Sequence, residues 1–496
     1  MEESALGLPK ISKSRIRESP PTETGARLSM MIFHTLSLAD YSLFEARVPE
    51  GHRTHSSWCF ANLICWRKFY RTQIADCRGS LVFKFFVNGG ERVAYMPCMH
   101  NLAPLAMRRL VEEITGDAAG QPLRLGGLRE QDKANLELVC DGQFIFDDDR
   151  DFSDYAYLST ELVNLPGRRF SVKRNQIRQF ESTFDYCTRA LDPGDAAACL
   201  ALVDQLIALR TDDGSNSSLL AERSAIADAL AMYNSLHLTG IVVLVEGRLA
   251  AFAYGSEMNK DIFCVHAEKA DRRIRGSFAK VNQLLSAAVY KNYIYICREE
   301  DLGIRGLERA KGSYSPVAMY HKIGALARSQ DVDQIIGLWT DCFGDARSFV
   351  ESFMVRYYSH DRVIVSRDGD NIVSMLHIVP MECDLGVVGY IYAVCTSKPY
   401  RGRGLATSVV QLGLQRCRDL GLSFAILIPG SDDLRVFWRR FGFESSPVTL
   451  QFDSRFDFGT GRNPGGPEPF MIVSLRQVGP HGLPPTGLKC RPASTV

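Results

Sequence analysis

The segment that most restricts the fold is 387–410, VVGYIYAVCTSKPYRGRGLATSVV. Its opening run, 387–395, is apolar and rich in β-branched and aromatic residues, as suits a buried strand. A short loop, Arg401-Gly-Arg-Gly-Leu-Ala406, then opens a helix whose buried face is Ala406, Val410, Gly413, Cys417 and Leu420, spaced +4, +3, +4, +3. Gly421 stands where a C-cap belongs. Strand, glycine loop and helix start in that order gather unpaired N–H groups and the positive end of a helix dipole at one point, which makes a phosphate cradle. Two phosphate motifs fail on spacing. A nucleotide P-loop needs Lys-Ser/Thr after its last glycine, but Gly404 is followed by Leu405 and Ala406. A dinucleotide fingerprint needs three glycines and an acidic residue about 20 positions on, and neither is found.

The surrounding periods place this motif in an alternating unit. They predict helices at 331–343 and 346–358, strands near 362–367 and 371–380, and the long strand at 387–395. A helix at 404–420, a strand at 423–428, a helix at 433–441 and strands near 446–452 and 470–474 follow. Such alternation means an α/β or α+β sandwich. At about 100–200 residues per domain, the 496 residues allow about three units. The clearest break is 321–330 (HKIGALARSQ), before the acidic helix start Asp331-Val-Asp, and a softer seam lies near 180–195. The expected organisation is therefore a disordered tail at 1–30, a double unit at 31–325, a single unit at 326–477 and a second tail at 478–496. Both tails are rich in Pro, Ser, Thr and Gly and lack the large apolar groups that offset ordering entropy.

Charge and cysteine content exclude several classes. With 58 Lys+Arg against 57 Asp+Glu the net charge is +1, far from the basic excess of a dedicated nucleic-acid binder. No run of about 18 apolar residues occurs, and 1–28 carries Lys10, Lys13, Arg15, Arg17 and Arg27 without an apolar block, so a cytoplasmic protein without a transmembrane segment is expected. The 14 cysteines are scattered without CxxC pairs or zinc-ligand spacing, which predicts reduced core thiols and no metal.

Arg401-x-x-Gly404-x-Ala406 resembles the loop by which the GNAT family of N-acetyltransferases binds the pyrophosphate of acetyl-CoA, and Phe437-Trp-Arg-Arg-Phe-Gly-Phe443 resembles that family's late helix and the turn beyond it. The resemblance implies an acyltransferase moving an acetyl group from acetyl-CoA to an amine acceptor, with no metal. It implies a cosubstrate site of Val394, Cys395, Arg401, Gly402, Arg403, Gly404, Leu405 and Ala406, and a splayed strand at 392–395 that bonds the pantetheine arm. An attacking ammonium must first lose a proton. Glu382 and His377 are the nearest candidates for that base, although the plainer reading, an exposed strand carboxylate and a satisfied histidine, is the stronger for each. The family's usual proton donor is a tyrosine where this chain has Trp438. Tyr392 or water then substitutes, or the thiolate leaves unprotonated.

The first two-thirds carries other patterns: Phe60-Ala-Asn-Leu-Ile-Cys-Trp66-Arg-Lys-Phe-Tyr70, Lys173-Arg-Asn-Gln-Ile-Arg178, His266-Ala-Glu-Lys-Ala-Asp271, Arg298-Glu-Glu-Asp-Leu-Gly303 and Lys311-Gly-Ser-Tyr-Ser-Pro316. The first is an amphipathic helix whose face Phe60, Leu63, Trp66 and Tyr70 reads as core; the second is a basic helix start able to grip phosphate or simply face solvent. Together they resemble the phosphatidylglycerol lysyltransferase C-terminal family of bacterial enzymes over about 40–322. That resemblance implies two acetyltransferase-like folds in tandem, hence three GNAT-like units in all. It further implies aminoacyl transfer from tRNA to a lipid head group or peptide as an alternative activity, with a non-catalytic substrate-binding module as a third. A second strand–loop–helix at 261–288 has Phe278 where a Gly or Ala would admit a pyrophosphate, making it a poor CoA cradle. The candidates for the tandem are Lys173, Arg174, His266, Glu268, Lys269, Asp271, Arg298, Glu299 and Glu300, for each of which ion pairing within the fold is the competing reading.

Overall fold

The computed structural model describes residues 31–87, 92–209, 216–383, 385–452, 468–475 and 488–492. It contains three seven-stranded mixed sheets with helices packed against them. The first takes its strands from His34–Thr35 to Phe144–Asp148 and adds Ile323–Ala327, which lies antiparallel between Arg124–Leu128 and Phe144–Asp148. The second runs from Asp154–Leu158 to Ala318–Tyr320 and the third from Val363–Asp368 to Leu488–Pro492. The fold is thus three GNAT-like α/β units, two of them a tandem. Among the described residues no helix is long and apolar enough to cross a membrane.

The expected inner seam differs from the sheets. The chain changes sheet between Asp148 and Asp154, well before the seam near 180–195. That stretch is the end of the helix Ser171–Thr183 and the edge strand Tyr186–Ala190, whose residues after Tyr186 are exposed. An exposed edge strand has the polar composition of a linker, which is why it reads as one. The break at 321–330 contains the returning strand Ile323–Ala327, with Ile323 and Ala325 buried in the first unit's core and Leu326 packed among third-unit residues, so the tandem ends with this strand.

In the third unit the observed elements fall within a few residues of the predicted ones. The tail at 478–496 does not hold as a whole, since Leu488–Pro492 is a strand. It pairs antiparallel with Met381, Glu382 and Cys383 and parallel with Leu450, Gln451 and Phe452, closing the third sheet on itself. Backbone groups at two open strand edges bind a segment whose composition alone would leave it unfolded. The tail at 1–30 lies outside the described residues.

One helix joins the third unit to the first. Arg347–Tyr357 buries Val350, Phe353, Met354 and Val355 and ends against the first sheet. Its last carbonyls, unsatisfied within any helix, accept from arginines of the first unit. Arg92 donates to Arg356 O at 2.8 Å, and the buried Arg124 donates to Val355 O at 2.5 Å and also to Tyr358 O. Arg356 in turn pairs with Asp147 at 2.7 Å and Asp149 at 3.1 Å.

Candidate active sites

The strand Gly386–Thr396 pairs in parallel with Phe424–Leu427 only at Gly389–Ala425 and Tyr390–Ile426. Beyond Tyr390 the two strands part, leaving the 391–396 edge outside that ladder. On its other side the register shifts between Met375 and His377, and Ala393 adopts φ 49°. A bulge with a left-handed non-glycine residue re-aims the backbone at this point. The strand then feeds the loop. Arg401 Nε donates to the Thr396 carbonyl at 3.1 Å, tying the loop back to the strand end. Gly402 and Gly404 have φ 78° and 79°, and Gly404 is the N-cap of the helix Leu405–Asp419. A Cβ on either glycine would meet nothing within 4 Å, so the loop stands open in front of the helix's free N–H groups. Val394 and Cys395 lie on the diverging strand. The Cys395 thiol donates toward Cys342 and, against the effect of burial, the Arg401 guanidinium also favours its thiolate, bringing Cys342 down to about 7.

The proton-transfer candidates are not equivalent. His377 is 2% exposed, packs against the rings of Trp339 and Phe353 at 5.4 and 5.2 Å, and has no partner for Nε2. Burial pushes it down to about 3, so it is neither satisfied nor poised near neutral pH. Glu382 is also buried, at 7% exposure, rather than an exposed strand carboxylate. Tyr392 stacks on Tyr390 and meets Trp339 edge-on. Trp438 is a core residue, packed among Phe437, Phe441 and Phe443.

The second strand–loop–helix, Ile262–Ala270 into Ser277–Val289, is closed for a different reason from the one expected. Phe278 is 39% exposed and leaves the helix start clear. Gly276, with φ 91°, is itself the contact: a Cβ there would lie 2.4 Å from Gln176 O and 2.8 Å from Phe180 Cβ. The helix Ser171–Thr183 packs directly on this glycine and leaves no room beside it. Asp271 serves the loop, holding Arg273 at 2.7 Å.

The other tandem candidates sort into groups. Arg174 caps the Leu165 and Gly167 carbonyls and Lys269 pairs with Glu222, both structural uses. Lys173, Glu268 and Arg298 converge: Lys173 Nζ lies 4.0 Å over the Tyr314 ring and Arg298 stacks on the same ring at 4.8 Å while bonding Glu268 at 3.1 Å. Burial and the Arg298 charge lower Lys173 to about 8. Lys173 is therefore turned inward, while Arg178 of the same basic start stays exposed. His266 and Glu299 form a second group at 3.1 Å. Glu300 forms a third with Lys322, which also bonds Asp154, each at 2.7 Å.

A cavity of about 250 Å3 lies where the three units meet. Trp66 and Tyr70 of the first unit, Glu299 and Glu300 of the second, Lys322, and Arg356 of the third unit's helix all line it. Trp66 and Tyr70, expected as core, are thus cavity walls, Leu63 is buried and also lines the cavity, and Phe60 is core. Cys59 and Ser256, 3.7 and 2.8 Å from His266 Nε2, join the second group, and neither they nor Lys322 carry a local sequence signal, whereas Tyr314 lies in the Lys311-Gly-Ser-Tyr-Ser-Pro316 pattern.

Residues 50–325, more than half the chain, match the family described as phosphatidylglycerol lysyltransferase, C-terminal. The chain belongs to that family. Residues 325–446 of this lysyltransferase-family chain match an acetyltransferase (GNAT) domain. A conserved protein of unknown function from Bacteroides thetaiotaomicron is 36% identical, with 60% of this chain and 100% of that one covered and a TM-score of 0.56. L-PGS from Bacillus licheniformis is 15% identical over 58% of this chain and 95% of its own, at a TM-score of 0.39. The GNAT acetyltransferase YhbS from Escherichia coli, solved in complex with CoA, is 18% identical over 33% and 86%, at 0.26. No curated protein matches the chain. The family and domain matches make this an acyltransferase chain, with most of the cavity's lining in the lysyltransferase segment and the open glycine loop inside the acetyltransferase domain.

Proposed function

We propose that the third unit transfers an acetyl group from acetyl-CoA to an amine acceptor. The observation that supports this is the contrast between two loops of one design: Gly402 and Gly404 are open, and Gly276 is filled by its own chain. In this reading the amides of 401–406 hold the pyrophosphate, and the diverging strand at 392–395 bonds the pantetheine arm through its backbone. Glu382 is the better base, since His377 is held near 3 by burial, and the acceptor ammonium gives up its proton before attack. Calorimetric titration of acetyl-CoA into the full chain should give one binding event, lost in Gly404→Glu with the melting temperature retained. No heat from the unsubstituted chain would overturn the reading.

A second reading belongs to the tandem: aminoacyl transfer from tRNA to a lipid head group or a peptide. It is supported by the cavity in the family segment, where the carboxylates of Glu299 and Glu300 beside Trp66 and Tyr70 suit a cationic amino acid. Incubation with charged tRNA and a lipid extract should yield an aminoacylated product by mass spectrometry. Charge retained on the tRNA with no new lipid or peptide adduct counts against it. Both donors are cytoplasmic molecules, and we place the protein there.

A further inference from the structure

His266 and Glu299 have neighbours that complete a recognisable chemical arrangement. Cys59 is the N-cap of the helix Phe60–Tyr70, and its Sγ lies 3.7 Å from His266 Nε2. Ser256 Oγ lies 2.8 Å from the same nitrogen and 3.4 Å from the Cys59 sulfur. His266 Nδ1 faces Glu299 Oε1 at 3.1 Å, which fixes the ring and leaves Nε2 for the sulfur and the hydroxyl. A thiol, an imidazole and a carboxylate in that order form an activated-nucleophile arrangement.

Three further observations go beyond a satisfied buried network. Glu299 is held at φ 55°, a costly conformation for a side chain of its size, while Lys311 Nζ fixes its strand end by bonding the Arg298 and Glu299 carbonyls at 2.7 and 3.2 Å. The cavity reaches the carboxylate end of the group: Glu299 lines it, together with Ser57 and Asn62, two residues before and three after the buried Cys59. The first-turn N–H groups of the Phe60–Tyr70 helix have no carbonyl partners within it and favour negative charge beside Cys59. The electrostatics agree. The Cys264 thiol, against burial, and the His266 charge hold Cys59 well below the usual thiol range. Burial opposes a charge on His266, but Cys59 and Glu299 outweigh it and bring the ring up to about 10.

We infer that Cys59 is a nucleophile that takes up an acyl group from an oxygen ester in the tandem cavity, with His266 as its proton partner and Glu299 positioning the ring. This rests on the reading that the tandem transfers acyl groups. The Cys59 thiolate attacks the ester carbonyl, a C–S bond forms, the C–O bond breaks, and the leaving oxygen takes the Nε2 proton of His266. The neutral ring then accepts a proton from the acceptor hydroxyl or amine, whose O or N attacks the thioester. The C–S bond breaks, and thiolate and imidazolium are restored. Glu299 holds the ring through both steps, and Ser256 donates to the thiolate.

Brief iodoacetamide treatment of the full chain at pH 7, read cysteine by cysteine by mass spectrometry, should alkylate Cys59 about tenfold or more faster than the buried Cys199, Cys264 and Cys297. His266→Ala should remove that advantage. p-Nitrophenyl acetate should release one rapid equivalent of nitrophenolate and leave a hydroxylamine-labile acetyl group on the Cys59 peptide. That burst should vanish in Cys59→Ala and persist in Cys187→Ala, which removes an exposed thiol outside the group, with melting temperatures confirming both folds. Labelling of Cys59 no faster than the other buried thiols overturns the proposal. So does one equivalent of tightly bound metal by elemental analysis, held by the Cys264, His266 and Glu299 donors that lie within 4.8 Å of one another. A reactive, acetylatable Cys59 with no transfer from charged tRNA upholds the nucleophile and removes only the aminoacyl reading.

Discussion

Three histidines, His52, His55 and His377, are buried and held at about 3, in each case chiefly by loss of hydration. The unfolded chain binds their protons near pH 6.5 and the folded chain only near 3, so their contribution to stability is complete above 6.5 and is lost as pH falls. Each should cost about 2 kcal/mol between pH 6.5 and 5, at about 1.4 kcal/mol per pH unit. Urea denaturation of the full chain at those two values should show the loss, and His377→Leu should remove His377's share of it. A histidine substitution that left the slope unchanged would contradict the assignment. At this scale the sequence hid most of the tandem chemistry. His266 and Glu299 were visible as charged groups at strand ends, but Cys59 comes from a helix start some 200 positions away, and only the packing of the two units makes them neighbours. Local spacing of cysteines and histidines carries no trace of such a group.

The two glycine loops give the sharpest contrast among the elements. Gly404→Ala meets no atom and should cost about 1 kcal/mol, the ordinary penalty for a left-handed alanine. Gly276→Ala adds a collision with the Gln176 carbonyl at 2.4 Å and should cost about 3 kcal/mol or more. Thermal melts of the two variants test this ordering, and equal losses would mean that the second loop is as open as the first. The third unit's elements were legible because its strands and helices announce themselves by local period, each with a cap or glycine at its end. Leu488–Pro492 was not, because it is made a strand by two distant edges, one at Met381–Cys383 and the other at Leu450–Phe452. The edge strand Tyr186–Ala190 misled for the converse reason: with four of its five residues exposed, it lacks the apolar alternation that marks a strand.

Across the whole molecule, the join between tandem and third unit is a set of charged and carbonyl groups removed from water. Arg124 is fully buried, and its guanidinium bonds the last carbonyls of the Arg347–Tyr357 helix, so Arg124→Met leaves those carbonyls unsatisfied. The loss should be about 3–5 kcal/mol. The native chain should unfold in one calorimetric transition spanning both parts, and Arg124→Met should split it in two. A single unsplit transition in the variant would show the join to be held elsewhere. The same helix presents Arg356 to the cavity on one side, while on the other Phe353 lies 5.3 Å from Tyr392 on the diverging strand. One helix thereby backs both the cavity and the strand on which the acetyl-CoA reading rests. Two ligands that grip a shared element differently must change each other's affinity by the same factor, so the supply of one donor would set the appetite of the chain for the other.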